Sequence, residues 1–207
     1  MGSILVITAI PIARAGLRMI LRENVGEHIL HEAGSVNDAL ACTAENLALI
    51  ILDPELPDMN LLEFVGHLRR QSEHTPILLF GGRSAAMFAS LAIKLGADGY
   101  LGRMSDERTI AAAVLTMLSG MQCFPRYTGL DLLSIRMQTL SPKEIAVLLL
   151  LRQGMRNKDV ARRLYLSEKT ISAHKRNILS KLEIDTISEI NQHDLVMSGL
   201  GQLHATN

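Results

Sequence analysis

Tryptophan is absent from this 207-residue chain, and three tyrosines and four phenylalanines make up its whole aromatic complement. Proteins that hold single strands or RNA stack bases on aromatic faces, so so few rings speak against that class. Cysteine occurs twice, as Cys42 and Cys123, far apart and without metal-ligand spacing. Reduced thiols are expected in place of a disulfide framework or a zinc site. No apolar run approaches the roughly 20 residues that a membrane helix requires. Pro11, Arg14 and Arg18 break up the opening stretch where a signal peptide would need its apolar core. These absences lead to the expectation of a cytoplasmic protein with no membrane contact. Nor is there a nucleophile–base pair, a metal-ligand cluster or a phosphate-cradling glycine loop, the pair Gly81-Gly82 being too short for one. An enzyme is therefore the weakest functional class, and no cofactor or metal is expected.

Net charge is also missing, with 21 basic residues against 21 acidic ones, but the balance is unevenly spread. Residues 139–207 carry ten Lys/Arg and seven Asp/Glu, which leaves the preceding part acidic. Between Arg156 and Lys181 eight basic residues face only Asp159 and Glu168. A local cluster of this kind attracts phosphate by Coulomb steering and counterion release. A basic run alone is more often a solvated face. Its meaning therefore depends on the elements that carry it.

Residues 141–182 read as three short amphipathic helices. Ser141 with Pro142 and Glu144 forms a capping box at the first start, and Gly154 can close that helix. A second helix follows Asn157, with Val160, Ala161 and Leu164 on one stripe, and breaks tightly at Leu166-Ser167. Ser167 then caps a third helix. Ile171, Ile178 and Leu182 share one face of it, while Lys169, Ala173 and Arg176, with Ser172 beside them, fall roughly opposite. One face packs and the other reads.

The segments LSPKE at 140–144, GMRNKDVARRL at 154–164 and LSEKTISAHKRNILSKL at 166–182 resemble the LuxR-type helix-turn-helix, and the last is similar to the RcsB-like group within that family. The resemblance implies a four-helix domain that binds double-stranded DNA and dimerises through its last helix, here Ser188 to Gly199. It implies base-edge contacts from Ser172, Ala173 and Arg176, and phosphate contacts from Lys169, Thr170, Lys175 and Lys181. Helical geometry puts Lys175 nearer the apolar stripe, so its ammonium must snorkel outward. His174, at the edge of the same stripe, reads as a packing residue.

The earlier part of the chain alternates short apolar runs, at 4–9, 47–52 and 76–80, with amphipathic segments at 12–21, 34–44 and 61–70, and ends on a turn into a strand at 96–101. Alternation of this kind predicts a doubly wound α/β domain with a parallel sheet. Its order resembles the receiver domain of two-component response regulators, with Asp53 at the phosphoacceptor position. The remaining positions depart from that family. Thr8 and Ala9 stand where an acidic pair would hold Mg²⁺, Gly81 where a hydroxyl residue would stand, and Arg103 in place of a phosphate-binding lysine. A hard cation that bridges phosphoryl oxygens normally needs more than one carboxylate. Without the metal, phosphoryl transfer loses its largest positive charge. A pseudo-receiver is expected, with Asp53 not phosphorylated. Asp53, Glu55 and Asp58 form an acidic loop that reads as a solvent-facing stretch near a helix start in preference to a cation site.

The expected organisation is a receiver-like domain over 1–122, a structured connector over 123–139 and a LuxR-type domain over 140–207. The expected function is sequence-specific transcription regulation by a homodimer, or by a heterodimer with a related regulator, independent of phosphorylation. Two alternatives stand beside it: a conventional phosphorylation-activated response regulator, and a scaffold that captures other regulators.

Overall fold

A computed structural model of the chain describes residues 2–42, 46–57, 59–82, 85–124 and 132–190, without the side chains of 85–87, 132 and 134. It divides into two compact units, residues 1–126 and 127–207.

The first unit is a doubly wound α/β layer. Its elements are β1 (Ser3–Ile7), α1 (Pro11–Asn24), β2 (Ile29–Ala33), α2 (Val36–Ala41), β3 (Leu47–Leu52), α3 (Leu61–Gln71), β4 (Ile77–Phe80), α4 (Ala85–Leu95), β5 (Gly99–Leu101) and α5 (Glu107–Leu118). The strands are all parallel, in the order β2-β1-β3-β4-β5. β1 and β4 are buried along their whole length because helices cover both faces of the sheet, which is why these runs read as continuously apolar. Apolar periodicity missed β2, and it did not mark α4 or α5 either. β2 lies at the edge, and His31 and Glu32 interrupt its apolar pattern, Glu32 pairing with Arg18 at 2.8 Å. One face of the core joins Ile4, Val6, Leu49, Ile51 and Leu78 to Leu17 and Leu21 of α1 and Val114 and Met117 of α5. The strand ends place Thr8, Asp53, Gly81 and Arg103 along one edge of the sheet, since each follows the carboxyl end of a different strand. In sheets of this topology that edge is where sites form.

Two glycines shape the β4–α4 turn. Gly82, at φ +77°, has room for no side chain: an added Cβ would lie 2.3 Å from the ring of Phe88. Phe88 stacks on Tyr100 with ring centroids 6.0 Å apart, and both are fully enclosed.

The second unit contains α6 (Leu132–Met137), α7 (Pro142–Arg152), α8 (Asn157–Arg163) and α9 (Glu168–Leu182), and residues 187–190 start a further helical turn. Within the connector the structure shows α6; residues 125–131 lie outside the described residues, as does 191–199 of the expected dimerisation helix. Two expectations for this unit need correction. α7 is not amphipathic, because every residue from Glu144 to Leu150 is buried. A helix that is apolar nearly all round serves as the centre of its unit, and α9 packs on it. The N-cap of α8 is Arg156, so Asn157 is the first helical residue and its side chain is free to act elsewhere.

Replacing Gly82 with alanine should combine overpacking against Phe88 with left-handed backbone strain and cost about 2–4 kcal/mol. A urea unfolding midpoint equal to that of the native chain would contradict this packing.

Candidate DNA interface and the carboxylate site of the first unit

Helix α9 is fixed first at its start. The Ser167 hydroxyl accepts the Thr170 amide at 3.0 Å and shares a 2.7 Å hydrogen bond with the Thr170 hydroxyl. The preceding turn is tight: Tyr165 adopts φ +54°, and the Leu166 amide returns to the Ala161 carbonyl at 2.9 Å. Along its length Ile171, Ile178 and Leu182 are fully buried, facing α6, α7 and α8. The opposite side therefore has to face outward. Lys169 and Arg176 are exposed there, and Ser172 and Ala173 lie half-buried between them. Lys175 and His174 are half-buried at the margin of the apolar stripe, as helical geometry requires. Among the described residues Lys169, Lys175 and Arg176 form no ion pair, so their charges remain available to an anionic partner.

Lys181 is different. Its ammonium bonds to the Glu144 carboxylate at 2.8 Å and to the Thr139 carbonyl at 3.3 Å. Glu144 is only 4% exposed, at the first turn of α7, where it also accepts the Ser141 amide at 2.7 Å. Burial alone would push this carboxyl up. The Lys181 ammonium and the Ser141 amide and hydroxyl outweigh it, so the carboxyl is held below its ordinary range. Lys181, expected as a phosphate contact, thus has its ammonium engaged inside the unit while its side chain remains 40% exposed. The capping box predicted at Ser141 to Glu144 is present, but no local pattern linked it to a lysine 37 residues later.

In the first unit Asp53 is 5% exposed and both of its oxygens are engaged. Oδ2 accepts the Thr8 hydroxyl at 2.8 Å, and Oδ1 accepts the Glu55 amide at 3.0 Å. The Arg103 guanidinium approaches both oxygens, at 3.4 and 3.3 Å, and also reaches Glu55 at 3.4 Å. Gly81 closes the remaining side: an added Cβ would lie 2.9 Å from Asp53 Oδ1. The Gly81 carbonyl is in turn fixed by the Tyr100 hydroxyl at 2.8 Å. Thr8, Asp53, Gly81 and Arg103 are thus brought together, whereas Ala9 contributes no oxygen and Asp58 lies outside the described residues. This donor set does not fit Mg²⁺. The cation would meet one buried carboxylate whose lone pairs are committed, with a guanidinium already against it. Cys42 and Cys123 are free thiols, and burial pushes that of Cys123 up.

The model of the response regulator receiver domain matches residues 4–115, and that of the luxR family of bacterial regulatory proteins matches residues 138–193. Fimbriae Z protein of Salmonella typhimurium is 34% identical over 197 residues, covering 91% of this chain and 94% of that protein. BvgA of Bordetella pertussis, a virulence factors putative positive transcription regulator, is 29% identical over 198 residues, covering 91% and 94%. The structure of RcsB from Salmonella enterica serovar Typhimurium bound to promoter rprA aligns with a TM-score of 0.73 at 20% identity, covering 94% of this chain and 98% of that one, a likeness of fold.

The Lys181–Glu144 pair has two measurable consequences. Lys181→Ala leaves a buried carboxylate without its cation and should destabilise the second unit by on the order of 2–3 kcal/mol in thermal or urea unfolding. Because the folded carboxyl titrates below its unfolded value, the stability it contributes is complete above the ordinary Glu pKa of about 4.3 and falls as pH drops through the lower folded value. Glu144→Gln should flatten that acid limb, and an unchanged slope would show that the pair contributes nothing.

Proposed function

The chain belongs to the LuxR-type response regulators, joining a receiver-type domain to a LuxR-type DNA-binding domain, and from that premise we propose that it regulates transcription through sequence-specific duplex binding without phosphorylation of Asp53. The observation that carries the second half of this reading is the closed carboxylate. Asp53 makes hydrogen bonds through both oxygens, and an internal guanidinium balances its charge. An acceptor aspartate has to attack phosphorus with a free lone pair while a metal neutralises the incoming phosphoryl oxygens. Neither condition suits this site, so the receiver-like domain acts through protein contacts.

The reading face of α9 supports the first half. We assign base-edge contacts to Ser172, Ala173 and Arg176, and phosphate contacts to Lys169, Thr170 and Lys175, with Lys181 holding the unit together. We propose domain limits of 1–122, 123–139 and 140–207. RcsB, a relative in fold, has been captured as two dimers on two parallel DNAs, and a dimer is proposed for this chain as well. Two readers in successive major grooves would recognise half-sites about one turn, or roughly 10 bp, apart. BvgA, a virulence factors putative positive transcription regulator, supports regulation of transcription as the output.

The test is a fluorescence-anisotropy titration on duplexes selected from a random pool. Arg176→Ala should cost on the order of 1–3 kcal/mol and relax base preference at one position of each half-site. Lys169→Ala should weaken binding to all sequences alike and reduce the salt slope by roughly one. Beryllofluoride with Mg²⁺ should leave affinity unchanged. A marked rise that depends on Asp53 would establish the conventional phosphorylation-activated reading instead, and failure to select any motif would leave the scaffold reading.

A further inference from the structure

The reading face has one hydrogen bond that helix propensity does not explain. Asn157, the first residue of α8, donates from Nδ2 to Oγ of Ser172 at 3.2 Å, across from the second turn of α9. It is the one hydrogen bond of either side chain among the described residues. We propose that Asn157 is a positioning residue for base readout: by donating to the Ser172 hydroxyl it keeps that hydroxyl's hydrogen free for the groove, so that this position of the reading face favours base edges that accept.

A serine hydroxyl has one hydrogen to give and two lone pairs to receive, and its rotor is otherwise free. On its own it reads a donor edge or an acceptor edge of a base equally well, so serine is an ambiguous reader of the major groove. Asn157 biases that choice toward donation, because it engages one of the two lone pairs and keeps the hydrogen free. Its amide N–H occupies a lone pair on the side facing α8, and the hydroxyl hydrogen must then turn elsewhere. Ser172 lies half-buried between exposed Lys169 and exposed Arg176, so the outward direction is the one that faces a partner. A donor aimed there suits O6 or N7 of guanine, or O4 of thymine, and leaves the N4 amino group of cytosine facing a hydrogen. The side chain is available for this role because Arg156, not Asn157, caps α8. An asparagine with no capping duty, aimed at the neighbouring helix, sets the polarity of a hydroxyl on the face that meets DNA.

The proposal rests on the duplex-reading role proposed above, and the experiment separates the two. The full chain and its variants Asn157→Ala, Asn157→Asp and Ser172→Ala, with the double variant Asn157→Asp/Ser172→Ala, are each used to select motifs from random duplexes. The readout is the ratio of guanine or thymine to cytosine at the position that Ser172→Ala alters. Overall affinity is set aside, because a new carboxylate repels phosphate regardless of sequence. Asn157→Ala frees the rotor and should flatten the ratio. Asn157→Asp can only accept, so it draws the hydroxyl hydrogen toward itself, presents lone pairs to the groove and should shift the ratio toward cytosine by about 5–10-fold. In the Ser172→Ala background the same change should do nothing to the ratio. Circular dichroism checks that each variant is folded. Ratios unchanged in both folded Asn157 variants would reduce the bond to a tie between helices and overturn the proposal. If Ser172→Ala alters no position while Arg176→Ala does, the proposal falls and the DNA reading stands. If the native chain selects no motif, both fall.

Discussion

The constraint on which the second unit depends is that α9 is held on one side so that the other can stay polar. Three fully buried aliphatic side chains fix its inner face. Polar bonds fix both ends, with Ser167 at the start and the pairing of Lys181 with Glu144 at the finish. Burying Glu144 would be unfavourable alone, since a carboxylate loses its hydration in an apolar setting. Here three donors replace the water, and the same carboxylate joins the start of α7 to the last turn of α9. Arg136 adds a second tie there, donating to the Leu182 carbonyl at 3.2 Å and pairing with Glu183. A helix gripped at both ends and along one face can hold its outward side chains in register with a duplex without rearranging on contact. Such preorganisation lowers the ordering cost of binding.

Much of this could be read from residue order. The capping residues Ser141 and Ser167 and the stripe Ile171, Ile178 and Leu182 are local signals, set by a few residues within a turn or two, and the structure follows them. The apolar runs became β1, β3 and β4 because a parallel sheet covered on both faces leaves little room for polar residues. Interactions that bridge long separations were not legible. Lys181 looked like every other basic residue in its cluster until Glu144 was placed beside it, and Asn157 looked like a cap until its amide was found 3.2 Å from Ser172. β2 escaped for a related reason. An edge strand with Glu32 paired to arginines of α1 carries no strict alternation, so its identity comes from the neighbouring strand and not from its own residues.

At the carboxylate site each departure from the receiver pattern could be listed from sequence, but how the departures fit together appears only in three dimensions. Thr8 does not simply remove an acid; it supplies a hydroxyl that binds Asp53. Gly81 does not simply remove a hydroxyl; its missing Cβ is what lets the end of β4 approach Asp53 so closely. Tyr100 then fixes the Gly81 carbonyl, while its ring stacks on Phe88, which itself occupies the space left by Gly82. The substitutions are mutually consistent, and changing any one of them alone would disturb the others.

Charge balance bears on the proposal that Asp53 stays unmodified. A buried carboxylate needs about one compensating positive charge, and Arg103 brings one to within 3.4 Å of both oxygens. A phosphoryl group carries about −1.5 to −2 at neutral pH, so aspartyl phosphate in the same place would leave roughly one negative charge uncompensated where water is largely excluded. In a receiver that takes phosphate, a divalent cation and a lysine supply the difference. Here the cation's ligands are absent at Thr8 and Ala9, and the single guanidinium is already shared between Asp53 and Glu55. Before Oδ2 of Asp53 could attack, Thr8 and Arg103 would have to surrender their bonds to it, and before Oδ1 could attack, the Glu55 amide and Arg103 would, so either route costs two bonds.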